Sequence, residues 1–195
     1  MLVVLVTTAA PTLADGGWRS AGTRDGITIA TRDVEGPVHE IRATAHAATT
    51  PAAILATLWR HEEYAQFVPY LKRLEVLRDD GDTKLVYEQF GIPVLRDRDR
   101  VVRVTRTTDA ASGTCDLTII AVTDEGPPPD PDHVRVTRST AAWHLVPADG
   151  GTDVTYTVKT DGGGIVPGWI VNAAQKDAVP KLVRAVLDRA ASAPP

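Results

Sequence analysis

One cysteine, one methionine and two phenylalanines stand in a chain of 195 residues, and these shortages exclude whole classes of function. A single thiol, Cys115, can neither close a disulfide within the chain nor build a zinc site. It lies in a strand-like run, TCDLTIIAV, and reads as a buried, inert side chain. His39, His46, His61, His133 and His144 show no metal-ligand spacing, and His61-Glu62 lacks the second histidine that a zincin helix requires. There is no GxSxG elbow and no glycine loop ending in Lys-Ser/Thr. Nothing calls for a metal or a cofactor. The formal net charge of −4 supplies no basic face for nucleic acid. No run approaches the ~20 apolar residues of a membrane-spanning helix.

The opening residues, MLVVLVTTAAPTLA, hold a short apolar run and a small residue, Ala14, before Asp15. Residues 1–14 read as the remnant of a secretory signal without its basic start. The expected location is secreted or periplasmic, with cytoplasmic as the alternative. Residues 15–195 are long enough for one domain with a real core and too short for two.

Alternation of apolar and polar residues marks strands in ITIATR, VHEIRATAHA, LKRLEVLR, TKLVYEQFG, RDRVVRVTRTT, TCDLTIIAV, VRVTRSTAAWHLVP and TDVTYTVKT. Turn residues separate them, among them Asp25-Gly26, Gly36-Pro37, Asp79-Asp80-Gly81 and Asp149-Gly150-Gly151. A helix starts at Thr50-Pro51, where threonine can cap and proline has no N–H to orphan. A second short helix or turn covers His61 to Phe67. From Gly162 the chain reads GGGIVPGWIVNAAQKDAVPKLVRAVLDRA, a glycine hinge leading into a long amphipathic helix. Short turns between consecutive strands imply an antiparallel meander. The expected architecture is α+β: a curved antiparallel sheet with the long C-terminal helix laid on one face, leaving an apolar space between them.

Strand parity predicts which residues face that space. Leu85, Tyr87 and Gln89 share one face of their strand; Val102 and Val104 share another, with Arg103 turned away; Val154, Tyr156 and Val158 oppose Thr155, Thr157 and Lys159. The run from Arg96 to Arg106 alternates basic residues with acids and valines, and reads as a solvated strand face. Asp97, Arg98 and Asp99 read as a structural ion-pair or a turn opening that strand. The proline-rich stretch from Glu125 to His133 is either a rigid connector or a gate at the mouth of the space.

A set of pieces, in order and spacing, carries a resemblance. Trp18 precedes Asp25-Gly26-Ile27. Tyr64 precedes Val68-Pro69 and Leu74-Glu75-Val76-Leu77. Then come Tyr87, Pro93, Asp97-Arg98-Asp99, Trp143 with Leu145 and Pro147, and Gly151-Thr152 with Val154-Thr155-Tyr156. Asp161-Gly162-Gly163, Pro167, Trp169, Asn172 and Pro180 complete it. From about Trp18 to Val186 the chain resembles a START domain of bacterial type, the lipid-transfer branch of the helix-grip or SRPBCC superfamily. The resemblance implies a helix-grip fold, in which a curved antiparallel sheet wraps the C-terminal helix and encloses a hydrophobic tunnel. It implies that one small hydrophobic molecule, a lipid or sterol, lies in that tunnel; the expected chain is a monomer, with a membrane surface as transient partner. Members of the fold also include polyketide aromatase/cyclases, the alternative reading.

The expected ligand-binding set is Leu85, Tyr87, Gln89, Val102, Val104, Tyr156, Val158, Trp169, Asn172 and Ala173, with Gly162, Gly163 and Gly164 as hinge and no catalytic residue. Asn172 either bonds a neighbouring loop or meets a ligand head group. Several cargo-binding members carry a charged pair inside the tunnel, and a gapless comparison places it at Leu85 and Val104, both apolar. A buried head-group charge would then lack a partner, which costs several kcal/mol. The expected cargo is therefore neutral, such as a sterol, a hopanoid-like molecule or a fatty-acyl compound.

Overall fold

The computed structural model describes residues 16–91 and 95–192; the stretch read as a signal remnant lies outside them. In chain order the strands are β1 (Arg19–Arg24), β2 (Ile27–Asp33) and β3 (His39–Ala47). Helix α1 (Pro51–Trp59) and a 3-10 turn (His61–Gln66) follow. Then come β4 (Leu71–Asp79), β5 (Thr83–Phe90), β6 (Arg98–Thr108), β7 (Cys115–Val122), β8 (Val134–Arg135), β9 (Ser139–Ala148) and β10 (Gly151–Thr160). The chain closes with α2 (Gly168–Ser192).

The strands form one 10-stranded sheet in the order β1-β2-β3-β10-β9-β7-β6-β5-β4, with β8 pairing off this path. Every pairing is antiparallel except β8 on β6. This is the α+β helix-grip architecture expected above. Two strands depart from the expectation. β1 was not foreseen, because RSAGTR is exposed along its whole length and offers no apolar alternation. The run VRVTRSTAAWHLVP is not one strand: it splits into β8 and β9, and β8 turns aside to pair with Arg98 and Asp99 of β6.

Local sequence explains the helix ends. The Thr50 hydroxyl accepts the Ala53 N–H at 3.2 Å, and Pro51 occupies the first turn of α1. On α2 the buried positions Val179, Val183, Val186, Leu187 and Ala190 recur every three or four residues, the spacing of one helical face. They meet α1, β2 and β3 and close the main core around Ile41, Ile54, Leu117 and Leu145. Each valine or leucine among them contributes roughly 1.5–3 kcal/mol by leaving water. The N-terminal half of α2 is different: of its residues before Val179 only Val171 is buried. That half roofs a cavity instead of filling a core.

The start of α2 is fixed by close approach. A side chain at Gly168 would place its Cβ 2.1 Å from the Pro37 carbonyl oxygen, so only glycine lets the helix sit against the β2–β3 turn. Asn172 reinforces the contact, its Oδ1 accepting the His39 backbone N–H at 2.9 Å. Gly163 and Gly164 take φ of +67° and +61°, a left-handed backbone that favours glycine.

A second, smaller core lies on the opposite face of the sheet. Leu85, Tyr87, Val101 and Val122 pack there with Leu77, beneath the proline-rich loop. Arg135 fastens that loop: it donates to the Pro127 and Pro128 carbonyls and forms a two-point ion pair with Asp99. Of the two expectations for the loop, the rigid connector fits these contacts.

Candidate ligand cavity

Between the N-terminal half of α2 and the inner face of β5, β6, β9 and β10 lies a cavity of about 410 Å³. That size falls within the range of roughly 300–1,000 Å³ occupied by small-molecule sites. Most of its wall is apolar: Phe90, Trp143 and Val158 from the sheet, Val171 and Leu182 from α2, and Leu58 from α1.

The wall also carries one polar band, and the strand register explains it. Glu88 of β5 stands directly across from Arg100 of β6. The Arg100 Nε donates to Glu88 Oε2 at 2.5 Å, with the two side chains 16% and 8% exposed. Arg100 Nη1 also donates to Ser139 Oγ at 2.8 Å, and Ser139 Oγ lies 2.8 Å from Thr160 Oγ1. Gln175 of α2 donates its Nε2 to the Thr160 carbonyl at 2.9 Å. The band thus runs from β5 across the sheet to the roof helix. Among the described residues neither the buried Gln175 Oε1 nor the hydroxyl of Tyr156 has a partner. Burial pushes the Tyr156 phenol up to about 12, so it stays protonated and can donate. Its ring lies 4.5 Å from that of Trp143, which holds it in place.

Arg98, also on the inner face of β6, lines the cavity and is 4% exposed. It donates to the carbonyls of Gly162, at 3.4 Å, and Arg96. Burial lowers its pKa, and the charge of Asp97 opposes that only in part.

Of the expected ligand-binding residues, Tyr156 and Val158 line the cavity, and so does Gly162 of the hinge. Leu85, Tyr87 and Gln89 do not: they point to the outer face, where Gln89 donates to the Tyr87 hydroxyl and Tyr87 donates to Asp99. The inner face of β5 belongs to Lys84, Val86, Glu88 and Phe90, as the pairing with Val104, Val102, Arg100 and Arg98 requires. Val102 and Val104 face inward but are packed in the main core away from the cavity wall. Trp169 is 72% exposed, Ala173 faces solvent, and Asn172 is committed to the His39 backbone. Gly163 and Gly164 stand beside Val134, off the cavity wall.

The premise for a neutral cargo falls too: the gapless comparison sets the charged pair at Leu85 and Val104, and neither lines the cavity. Leu85 is not in the cavity, and Glu88, Arg98 and Arg100 are. The reading of Arg96 to Arg106 as a solvated face fails at the same place, since Arg98 and Asp99 are both buried. Among the described residues no cluster of three or more His, Cys, Asp or Glu could hold a metal.

Three comparisons bear on this geometry. A family model described as polyketide cyclase / dehydrase and lipid transport matches residues 38–193. An uncharacterised protein of Pseudomonas aeruginosa, PA1579, is 26% identical over 167 residues, which is 83% of this chain and 80% of that one. The crystal structure of a STAR-related lipid transfer protein fragment from Xanthomonas axonopodis superposes with a TM-score of 0.83 at 26% identity, covering 91% of this chain and all of that one. Human STARD10 superposes at 0.79 with 19% identity, over 92% of this chain and 75% of that one. The Zhui aromatase/cyclase from Streptomyces sp. R1128 superposes at 0.52 with 14% identity, over 78% and 93%. The last two similarities concern the fold alone.

Proposed function

We propose that this chain, which belongs to the polyketide cyclase / dehydrase and lipid transport family, is a carrier that holds one small hydrophobic molecule in the cavity under α2. The observation that carries the reading is the cavity itself: apolar on most of its wall, closed by a helix whose N-terminal half has no core of its own to fill. Burial of an apolar cargo there is favourable by about 25 cal/mol per Å² removed from water. The Tyr156 hydroxyl and the Gln175 Oε1 offer a donor and an acceptor to orient it. The likeness to a STAR-related lipid transfer protein supports the same reading.

Catalysis of the cyclase type is the second reading, and the polar band is what favours it. Proton transfer needs a side chain free to accept or give a proton at the reacting atom. Glu88 is tied to Arg100, and among the described residues no histidine or cysteine lines the cavity. Carriage therefore fits better. Solvent extraction of the purified protein followed by mass spectrometry tests it. A hydrophobic molecule recovered at one per protein is the expected result. An empty extract, with no rise in melting temperature on adding fatty acids or sterols, would move the weight to catalysis.

Cargo must enter from somewhere, and the exposure of Ile165 and Trp169 supports entry beside them. Both stand fully or largely in water beside the segment that lines the cavity at Gly162. A transient membrane contact there would cover them, and tryptophan suits the level of the head groups. Trp169→Ala is expected to weaken sedimentation with phosphatidylcholine vesicles severalfold while leaving the melting temperature unchanged. Equal binding by the variant would remove Trp169 from the contact.

A further inference from the structure

Among the described residues one cation on the cavity wall has no acid partner, although acids and bases there are equal in number, and that cation names a head group. Four charged residues line it: Glu88, Arg98, Arg100 and Asp177. Glu88 is matched to Arg100 at 2.5 Å. Asp177, on α2, is matched to Lys181 at 2.6 Å and receives the Tyr70 hydroxyl at 2.9 Å. Among the described residues Arg98 is left with backbone carbonyls alone. The acids beside it in sequence are committed elsewhere: Asp97 to Lys72 at 2.7 Å, and Asp99 to Arg135 on the other face of the sheet. Among the described residues no carboxylate pairs with Arg98.

A guanidinium shielded to 4% exposure without a counter-charge is expensive, and burial lowers its pKa accordingly. Arg98 and Arg100 lie two residues apart on one strand face, so both present to the same space. Each keeps one terminal nitrogen without a partner among the described residues. Planar guanidinium groups recognise carboxylate and phosphate oxygens by such charge-assisted hydrogen bonds.

We propose that the cavity selects amphiphiles with an anionic head, a carboxylate or a phosphate, seated against Arg98 and Arg100 with the chain along the apolar wall. This rests on the carrier reading and specifies its cargo class. It replaces the neutral cargo expected from sequence.

The test compares heads on one chain. Palmitate, hexadecanol and palmitoyl lysophosphatidate are titrated below their aggregation limits at about pH 8, where the carboxylate is ionised. Wild type is expected to bind palmitate or lysophosphatidate about tenfold or more tighter than hexadecanol. The tighter of the two anions identifies the head as carboxylate or phosphate. Arg98→Met should collapse the ratio, and Arg98→Lys should keep part of it. Glu88→Gln, which leaves Arg100 uncompensated, should widen it. Circular dichroism confirms that each variant folds. Should Arg98→Met fail to fold, the wild-type ratio and its widening in Glu88→Gln still decide. Equal binding of palmitate and hexadecanol by wild type overturns the head-group proposal and leaves the carrier reading standing. Binding of none of the three, with no thermal shift, sinks both.

Discussion

Replacing Asp99 by alanine is expected to remove about 3–5 kcal/mol of folding stability, the cost of breaking a buried ion pair from one side. Asp99 has no solvent exposure, and the Arg135 side chain keeps 11%. Arg135 Nε and Nη2 reach the carboxylate at 3.0 and 2.8 Å, and the Tyr87 hydroxyl donates to it at 3.0 Å. Without Asp99, a largely shielded guanidinium retains, among the described residues, the Pro127 and Pro128 carbonyls and the face of the Tyr87 ring. Urea denaturation should show the loss as a lower midpoint at unchanged slope. Limited proteolysis should cut sooner between Glu125 and His133. A change below about 1 kcal/mol would mean that loop packing over Leu85 and Val101 holds without the pair.

The same carboxylate gives a pH dependence. Burial alone would raise the pKa of Asp99, but hydrogen bonds from Arg135 and Tyr87 outweigh it and hold the group below its ordinary value. The unfolded chain then binds its proton more readily than the folded one. The contribution is complete above the unfolded pKa of about 3.9 and is lost as pH falls through the lower folded value. Wild type should therefore lose stability in the acid range below about pH 4, and Asp99→Asn should lose less over the same interval. Parallel curves for the two proteins would assign the acid sensitivity to other carboxylates.

Most strands were legible because only one of their faces is apolar. β10 shows it best: Val154, Tyr156 and Val158 are buried and Asp153 is exposed. β5 was not legible in that way. Val86 packs in the main core while Leu85 and Tyr87 pack in the smaller core under the proline-rich loop. A strand covered on both sides has no single apolar face, so alternation cannot say which side is concave. The error carried forward, since placing Leu85 inside hid Glu88. The partner of Glu88 was equally hidden, because Arg100 meets it only through the register of two strands 12 residues apart in sequence. Arg98 was masked by its surroundings: in a run of alternating arginine and aspartate each cation looks neutralised by its neighbour. Strand alternation sends Asp99 to the far face, where it meets Arg135 instead. Trp169 and Asn172 sit on the roof helix as expected, but a helical face can be assigned only once its neighbours are known. Here those neighbours are solvent and the His39 backbone.

Glu88→Ala carries the other large expected effect, and its sign should depend on what occupies the cavity. In the empty protein the variant leaves Arg100 shielded and without a counter-charge, at a cost of about 3–5 kcal/mol. Replacing both partners, Glu88→Leu with Arg100→Leu, removes the charge problem and should recover most of that loss, because apolar residues of similar size often substitute for a buried pair at little cost. If the single and double variants are equally unstable, lost packing and not the unpaired charge sets the price. An anion bound beside Arg98 changes the balance. Its head group would stand in for the missing carboxylate, and the energy of pairing Arg100 would be added to the binding. Saturating palmitate should then raise the melting temperature of Glu88→Ala by more than it raises that of wild type. The double variant, with only Arg98 left on that face, should gain less than either. That ordering follows from the charges on the cavity wall alone, and a purely apolar cargo would not produce it: hexadecanol should stabilise all three proteins to similar extents.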